Sequence, residues 1–299
     1  MTALPPQAVD AGPAAAPATA RRDRLLTRVW RDPNGRIGVV VMTVMIVVGV
    51  LGAAQVLGHD PIDQHPEVRL RGPSGANWFG TDQFGRDILA RTAEGIATSL
   101  RVAAVSVAIA CVIGSVLGIT AGFFGGWLDQ VVGRLIDILF AFPAILLALA
   151  VVSALGSGWQ NTAIAIAVVY TPIFARVARG PTLSVATAEY IKASRVLGIP
   201  IRRVLWRHVL PNVSPPIVVQ TTLALSWAIL TESALSFLGL GTQPPQPSLG
   251  LMVSDARDIV SIAWWTLAFP AAAIVLAVIG LNLLGDGLRS ALDPRRESP

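Results

Sequence analysis

Residues 178–212 read ARGPTLSVATAEYIKASRVLGIPIRRVLWRHVLPN, the most basic stretch of an otherwise apolar chain. Good helix formers and apolar positions Ala188, Ile191 and Val196 predict a helix over 186–197. Gly198 can take the positive φ that ends a helix, and Pro200 is suited to start the next one. A second, cationic helix is then expected over 201–210, stopped by Pro211 and Asn212. Long apolar runs flank the whole stretch. Two short helices about a glycine hinge between membrane spans form an elbow that can push on a partner.

Composition agrees with membrane residence. Apolar residues make up 53% of the 299, charged residues only 14%, and the mean hydropathy is +0.63. A soluble domain carries nearer about a quarter charged residues, so this is an integral membrane protein; with apolar runs of helix-spanning length, the expected fold class is all-α membrane protein. The net charge is +5, and Lys192 is the single lysine. The arginines flank apolar spans and form no exposed stripe, which argues against nucleic acid as a partner. Cys111, the lone cysteine, cannot form an intrachain disulfide and reads as a small core residue.

Six apolar runs have about the length a bilayer core requires: 37–57, 102–123, 136–155, 162–177, 217–238 and 264–284. Pro143 and Pro172 fall in the third and fourth; prolines are tolerated in spans where neighbours satisfy the freed carbonyls. The first run is too long, and the basic region before it too extended, for a cleaved signal peptide. With six spans starting inside, both termini and the elbow are cytoplasmic. The inside segments then hold 17 of the 23 basic residues, as the positive-inside rule requires.

The expected organisation is a disordered tail over 1–24, a first span within 25–75, an external amphipathic segment over 76–98, a transmembrane domain over 99–290 with the elbow at 178–212, and a cytoplasmic tail over 291–299. In the external segment, Trp78 and Phe79 read as anchors at the membrane interface. Thr81 or Asp82 can cap a turn there, and Asp82, Arg86, Asp87 and Arg91 can pair among themselves. The bland reading is a surface helix lying on the membrane.

Several motifs resemble those of ABC-importer permeases. Lys192-Ala193-Ser194 followed by Gly198 and then Leu210-Pro211 resembles the EAA loop of that family. Lys192 and His208 depart from the general pattern, in the direction of the peptide branch. The run Trp78-Phe79-Gly80-Thr81-Asp82-Gln83-Phe84-Gly85-Arg86-Asp87 resembles the motif before the second span in dipeptide and oligopeptide permeases. Residues 134–143, 231–241 and 285–295 are similar as well, so the resemblance runs from about residue 25 onward.

That resemblance implies a type I importer permease fold with cytoplasmic coupling helices. It implies a heterodimer with a second permease, cytoplasmic ABC ATPase subunits that hold ATP and Mg, and an external substrate-binding protein, in a bacterial plasma membrane. The coupling residues would be Glu189, Lys192, Ala193, Ser194, Arg195, Gly198, Arg202, Arg203, Arg207, His208, Leu210 and Pro211. Some of these arginines can contact lipid phosphates instead.

Glu232 is a carboxylate well inside an apolar run, beside Ser233. Such a group lines a pathway or gate, or is satisfied by local donors at a helix break. Asp286 and Arg289 read as a helix-end ion pair. His59, His65 and His208 share no metal-ligand spacing. No serine–histidine–acid pattern points to catalysis, and Lys192 has no glycine-rich turn before it, so ATP must act from another chain. The ligand stays open among peptides, nickel, glutathione and haem. An ion-driven carrier is the different-class alternative, with inverted repeats and more intramembrane charges as its mark; a purely architectural subunit is the third.

Overall fold

The computed structural model describes residues 27–56 and 59–292. The expected disordered tail over 1–24 lies outside the described residues, as does 293–299 of the expected C-terminal tail. All the described secondary structure is helical apart from one isolated bridge, Thr81 to Asp87. The long helices are α1 (Pro33–Ala53), α2 (Ile88–Phe124), α5 (Trp159–Ala186), α8 (Leu210–Phe237) and α10 (Trp265–Leu292). Between them lie α3 (Gly126–Phe140), α4 (Ala144–Leu155), α6 (Glu189–Val196), α7 (Ile201–Val204) and α9 (Leu249–Ala256).

Five helices are long and apolar enough to cross a membrane, α7 and α8 counting together as one helix over Ile201–Phe237. The expected third span, 136–155, is not a single rod. α3 and α4 meet at a 94° bend, because Phe142 and Pro143 break the backbone. Pro143 lacks the N–H that a continuous helix needs and adopts an extended ψ of 130°. At twelve residues α4 extends about 18 Å, short of the roughly 30 Å core. The pair crosses as a bent unit or not at all.

Small residues let the spans approach closely. A Cβ on Gly52 would fall 2.5 Å from the Ala93 carbonyl carbon, and one on Gly114 would fall 2.6 Å from Phe174 Cβ. With little hydrophobic drive between helices in lipid, such backbone-to-backbone packing holds the bundle. One core joins α1, α2, α5, α8 and α10, with Phe174, Ile166 and Leu235 fully buried in it. The exposed apolar residues of α1, among them Val44 and Val50, form the kind of surface a bilayer covers.

Ion pairs dock the bent unit. Arg179 Nη2 of α5 donates to Asp129 Oδ2 of α3 at 2.7 Å. Arg176 lies 4.2 Å over the Phe140 ring and 3.4 Å from Asp137. At the end of α10, Asp286 and Arg289 are both exposed, and no ion pair joins them among the described residues.

Candidate functional site

The elbow begins where α5 ends at Ala186. α6 closes in a Schellman turn: Gly198 N–H donates to Arg195 O at 3.0 Å, and Ile199 N–H to Ser194 O at 3.1 Å. Gly198 has φ +70°, and a Cβ there would meet open space. Glycine is needed for its backbone conformation alone. Pro200 then sets the first turn of α7.

Pro211 does not stop the second elbow helix, contrary to expectation. The chain passes through a π-helical stretch, Leu205–Val209, directly into α8. Leu210 N–H reaches back five residues to Leu205 O, and Asn212 Nδ2 donates to His208 O at 2.6 Å. An inserted residue and a side-chain donor absorb what proline cannot supply. The elbow is therefore rigidly continuous with the span on its far side.

Ile191, Val204 and Val209 are fully buried and fasten the elbow to the core. Val196, Leu197 and Trp206 point the other way, 88%, 77% and 70% exposed. Glu189, Lys192, Ala193, Gly198, Arg202, Arg203, Arg207 and Pro211 share that exposed side. His208 and Leu210 are half-buried, and the Tyr190 and His208 rings lie 6.0 Å apart. Lys192 pairs with Glu189 at 2.9 Å. One expected coupling residue faces inward, Ser194, which is buried and donates to Tyr190 O at 2.7 Å; Arg195 is exposed, with its guanidinium 4.8 Å over the Phe123 ring of α2. The surface left is an apolar knuckle ringed by arginines. The apolar residues in it went unnoticed in the sequence because they read as helix core.

At the other end of the bundle, the Trp78–Asp87 motif is a buried knot and not a surface helix. Thr81 is fully buried; its hydroxyl donates to Val68 O and accepts from Arg71 N–H. Asp82 Oδ1 accepts from the N–H groups of Phe84 and Arg86, and Oδ2 from Arg86 Nε at 2.6 Å. Arg91 Nε stands 3.6 Å from Asp82. Asp87 caps α2 through Ala90 N–H and also accepts from Asn77 Nδ2 at 2.7 Å. Gly80 and Gly85 have φ +78° and +77°.

Phe79 is no interface anchor, since it stacks on Phe269 of α10 at 3.9 Å. Trp78 alone of the two is free, at 71% exposure. Trp265 Nε1 of α10 donates to Thr81 O, and Asp255 of α9 stands 3.9 Å from Arg86. Burial holds the Asp255 carboxyl above its ordinary range; Arg91 and Arg86 oppose this and Asp82 adds to it. Nothing local in the sequence marks Asp255 as a partner of the motif.

Glu232 is fully buried. Ser99 Oγ of α2 donates to its Oε2 at 2.8 Å, and Ser236 Oγ to Oε1 at 2.7 Å. Ser99 also accepts from Leu249 N–H at 3.4 Å, so the carboxylate gathers α2, α8 and the start of α9. Ser233 is buried against Gly250, where a Cβ would fall 2.6 Å from Ser233 Cα.

Comparison with known proteins gives this geometry a family. The family model described as "Binding-protein-dependent transport system inner membrane component" matches residues 114–298. The dipeptide transport system permease protein DppC of Alkalihalophilus pseudofirmus is 44% identical over 262 residues, 88% of this chain and 86% of that one. The di/tripeptide transport system permease protein DppC of Pseudomonas aeruginosa is 42% identical, covering 88% of each. The glutathione transport system permease protein GsiD of Pectobacterium atrosepticum is 39% identical over 93% of this chain and 95% of that one. Among solved structures, an inward-facing MetNI methionine ABC transporter matches with a TM-score of 0.57 at 21% identity, covering 68% of this chain and 96% of that one. The fold is thus the type I ABC-importer permease fold. The chain is a multi-pass membrane protein and belongs to the family of binding-protein-dependent transport system inner membrane components.

Proposed function

We propose that this chain is one permease subunit of an ATP-driven importer of di- and oligopeptides. It forms half of the pathway beside a second, related permease. ATP and Mg sit on separate ABC ATPase subunits, and an external binding protein delivers the ligand. The observation that carries this reading is the elbow: an apolar knuckle ringed by Arg202, Arg203 and Arg207, continuous with a span, and exposed among the described residues.

The distribution of basic residues supports an orientation with the elbow and both termini in the cytoplasm. ATP closing the ATPases would draw the elbows together, and the stiff passage through Leu205–Val209 into α8 would carry that movement into the bundle. Named relatives that carry dipeptides and di/tripeptides support peptide as ligand. The glutathione permeases among the relatives support a second reading with the same architecture, glutathione being itself a small peptide.

The test is recovery of the tagged chain from its native membrane in mild detergent, followed by ATPase assay and peptide uptake after reconstitution. A second multi-span protein and ATPase chains should co-purify, with hydrolysis raised by the binding protein. A chain that emerges alone, stable and without ATPase partners overturns the reading.

A further inference from the structure

Arg101 of α2 takes no part in the contacts described so far. It is exposed, and no carboxylate lies within 4.0 Å of it among the described residues. Glu94, the one acid within α2, is seven residues away, about 10 Å by helix rise. The Arg101 guanidinium carbon sits 4.4 Å over the Trp159 ring. Stacking occupies the flat face of the guanidinium and leaves its N–H edge free to grip an anion at two points.

Arg101 and Trp159 also mark a level in the bundle. Arg101 directly precedes the apolar run 102–123, and Trp159 opens α5 just before the run 162–177. Both spans lead from there to the elbow, α5 by running into it and α2 through Phe123 beneath Arg195. An arginine and a tryptophan at the mouth of two spans sit where a bilayer meets water, on the side opposite the elbow.

A cavity of about 500 Å³ adjoins Arg101, the one charged residue in its wall among the described residues. Ile46 and Val50 of α1, Ala104 of α2, Leu225 of α8 and Leu284 of α10 also line it. Ile46, Val50 and Ala104 are exposed, as Arg101 is, so the cavity opens on the outside of the bundle as a groove. Ile46 and Val50 belong to the α1 face that a bilayer covers. The groove also runs inward. Glu232 of α8 is level with Ser99 of α2, which places Leu225 about 10 Å nearer the elbow. Ser226 meets Asn282 of α10 at 3.1 Å, so Leu284 lies at a similar depth.

We propose that this groove holds a phospholipid of the leaflet opposite the elbow. Its phosphodiester sits on the free edge of Arg101, and one acyl chain lies inward between α1, α8 and α10. The charge is complementary, and the cation stands at headgroup level above an apolar slot. An acyl chain brings no polar group to that wall, whereas a peptide would bring unpaired backbone N–H and C=O groups. A helix of a partner subunit is too thick: at a diameter of about 10 Å, such a volume holds roughly one turn.

The test titrates dioleoyl phosphatidylglycerol into the delipidated transporter complex in detergent and follows binding by native mass spectrometry. Dioleoylglycerol, with the same chains and no phosphate, is the control. Wild type should bind the phospholipid about tenfold more tightly than the control. Arg101→Gln should remove that tenfold, the loss of one charge-assisted pair, and leave dioleoylglycerol unchanged. Arg101→Lys should keep most of it. Ala104→Trp, which fills the mouth of the groove, should weaken both lipids. A phosphatidylglycerol with a diazirine in its acyl chain should label α8 or α10 near Leu225 and Leu284, and less so in Ala104→Trp.

Unchanged phospholipid affinity in Arg101→Gln overturns the site, and so does an equal loss for both lipids. Labelling confined to the outer face of α1 reduces the groove to ordinary bilayer contact and overturns it as well. Label transferred to a co-purifying subunit in place of α8 and α10 makes the groove a subunit interface, which also overturns it. The measurement reads binding alone, so its outcome is independent of whether the complex imports peptides.

Discussion

Glu232 of α8 and Ser99 of α2, 133 positions apart in sequence, are joined by a 2.8 Å hydrogen bond inside the bundle. Ser236 holds the other carboxylate oxygen at 2.7 Å. Glu232→Ala leaves these hydroxyls without their acceptor and opens a void, at a cost of about 3 kcal/mol. Glu232→Gln keeps one acceptor and should cost about half as much. Thermal unfolding of the purified complex in detergent ranks the two; equal melting points for wild type and Glu232→Ala would contradict a structural role for Glu232.

Gly198 has positive φ and open space around it, so a side chain there changes the elbow surface more than the packing. Gly198→Asp should cost about 1 kcal/mol of local conformational energy. Subunit recovery should stay intact while peptide uptake per ATP hydrolysed falls severalfold. Normal uptake by this variant would remove the coupling role from the hinge.

The opposite holds at Gly85. A Cβ there would fall 2.5 Å from the His65 carbonyl carbon, at a φ of +77°. Gly85→Ala should displace the segment that packs over the Trp78–Asp87 knot and destabilise it by several kcal/mol. Gly75→Ala, with nothing within 4 Å of the new atom, should be silent. Limited proteolysis of residues 59–87 distinguishes them: rapid cleavage is expected in the first variant only.

Asp255 gives a pH dependence whose sign follows from its raised pKa, set chiefly by burial. The folded state disfavours the charged carboxylate. The contribution from this group is therefore fully favourable below the ordinary carboxylate pKa and is lost as pH rises through the elevated one. Melting temperature measured from pH 4 to 8 should fall less steeply in Asp255→Asn than in wild type. Parallel profiles would mean that Arg86 and Arg91 fully offset the burial.

Much of this architecture is legible in local chemistry. Glycine and proline at 198 and 200 marked the elbow hinge, because positive φ and a missing N–H act on the backbone wherever they occur. Apolar run length marked the long spans, since the bilayer thickness is a fixed ruler. The proline rule misled at two positions. Pro211 was absorbed by a π turn, whereas Pro143 bent its span by 94°, and the difference lies in what surrounds each backbone. Asn212 reaches back to a carbonyl at the first. At the second, Pro143 itself is extended, with ψ 130°, and among the described residues no side chain restores the helix there.

From its sequence alone, the chain's membrane residence, its elbow and its family resemblance were determined, because these depend on composition, periodicity and short motifs. Only the tertiary structure decided that Phe79 packs against Phe269, that Asp255 meets Arg86, that Ser194 turns inward, and that Ser99 holds Glu232. Each of these depends on which helix face meets which neighbour. No local pattern encodes that choice. It is settled when small residues such as Gly52 and Gly114 let particular spans approach and thereby select the side chains that come within reach.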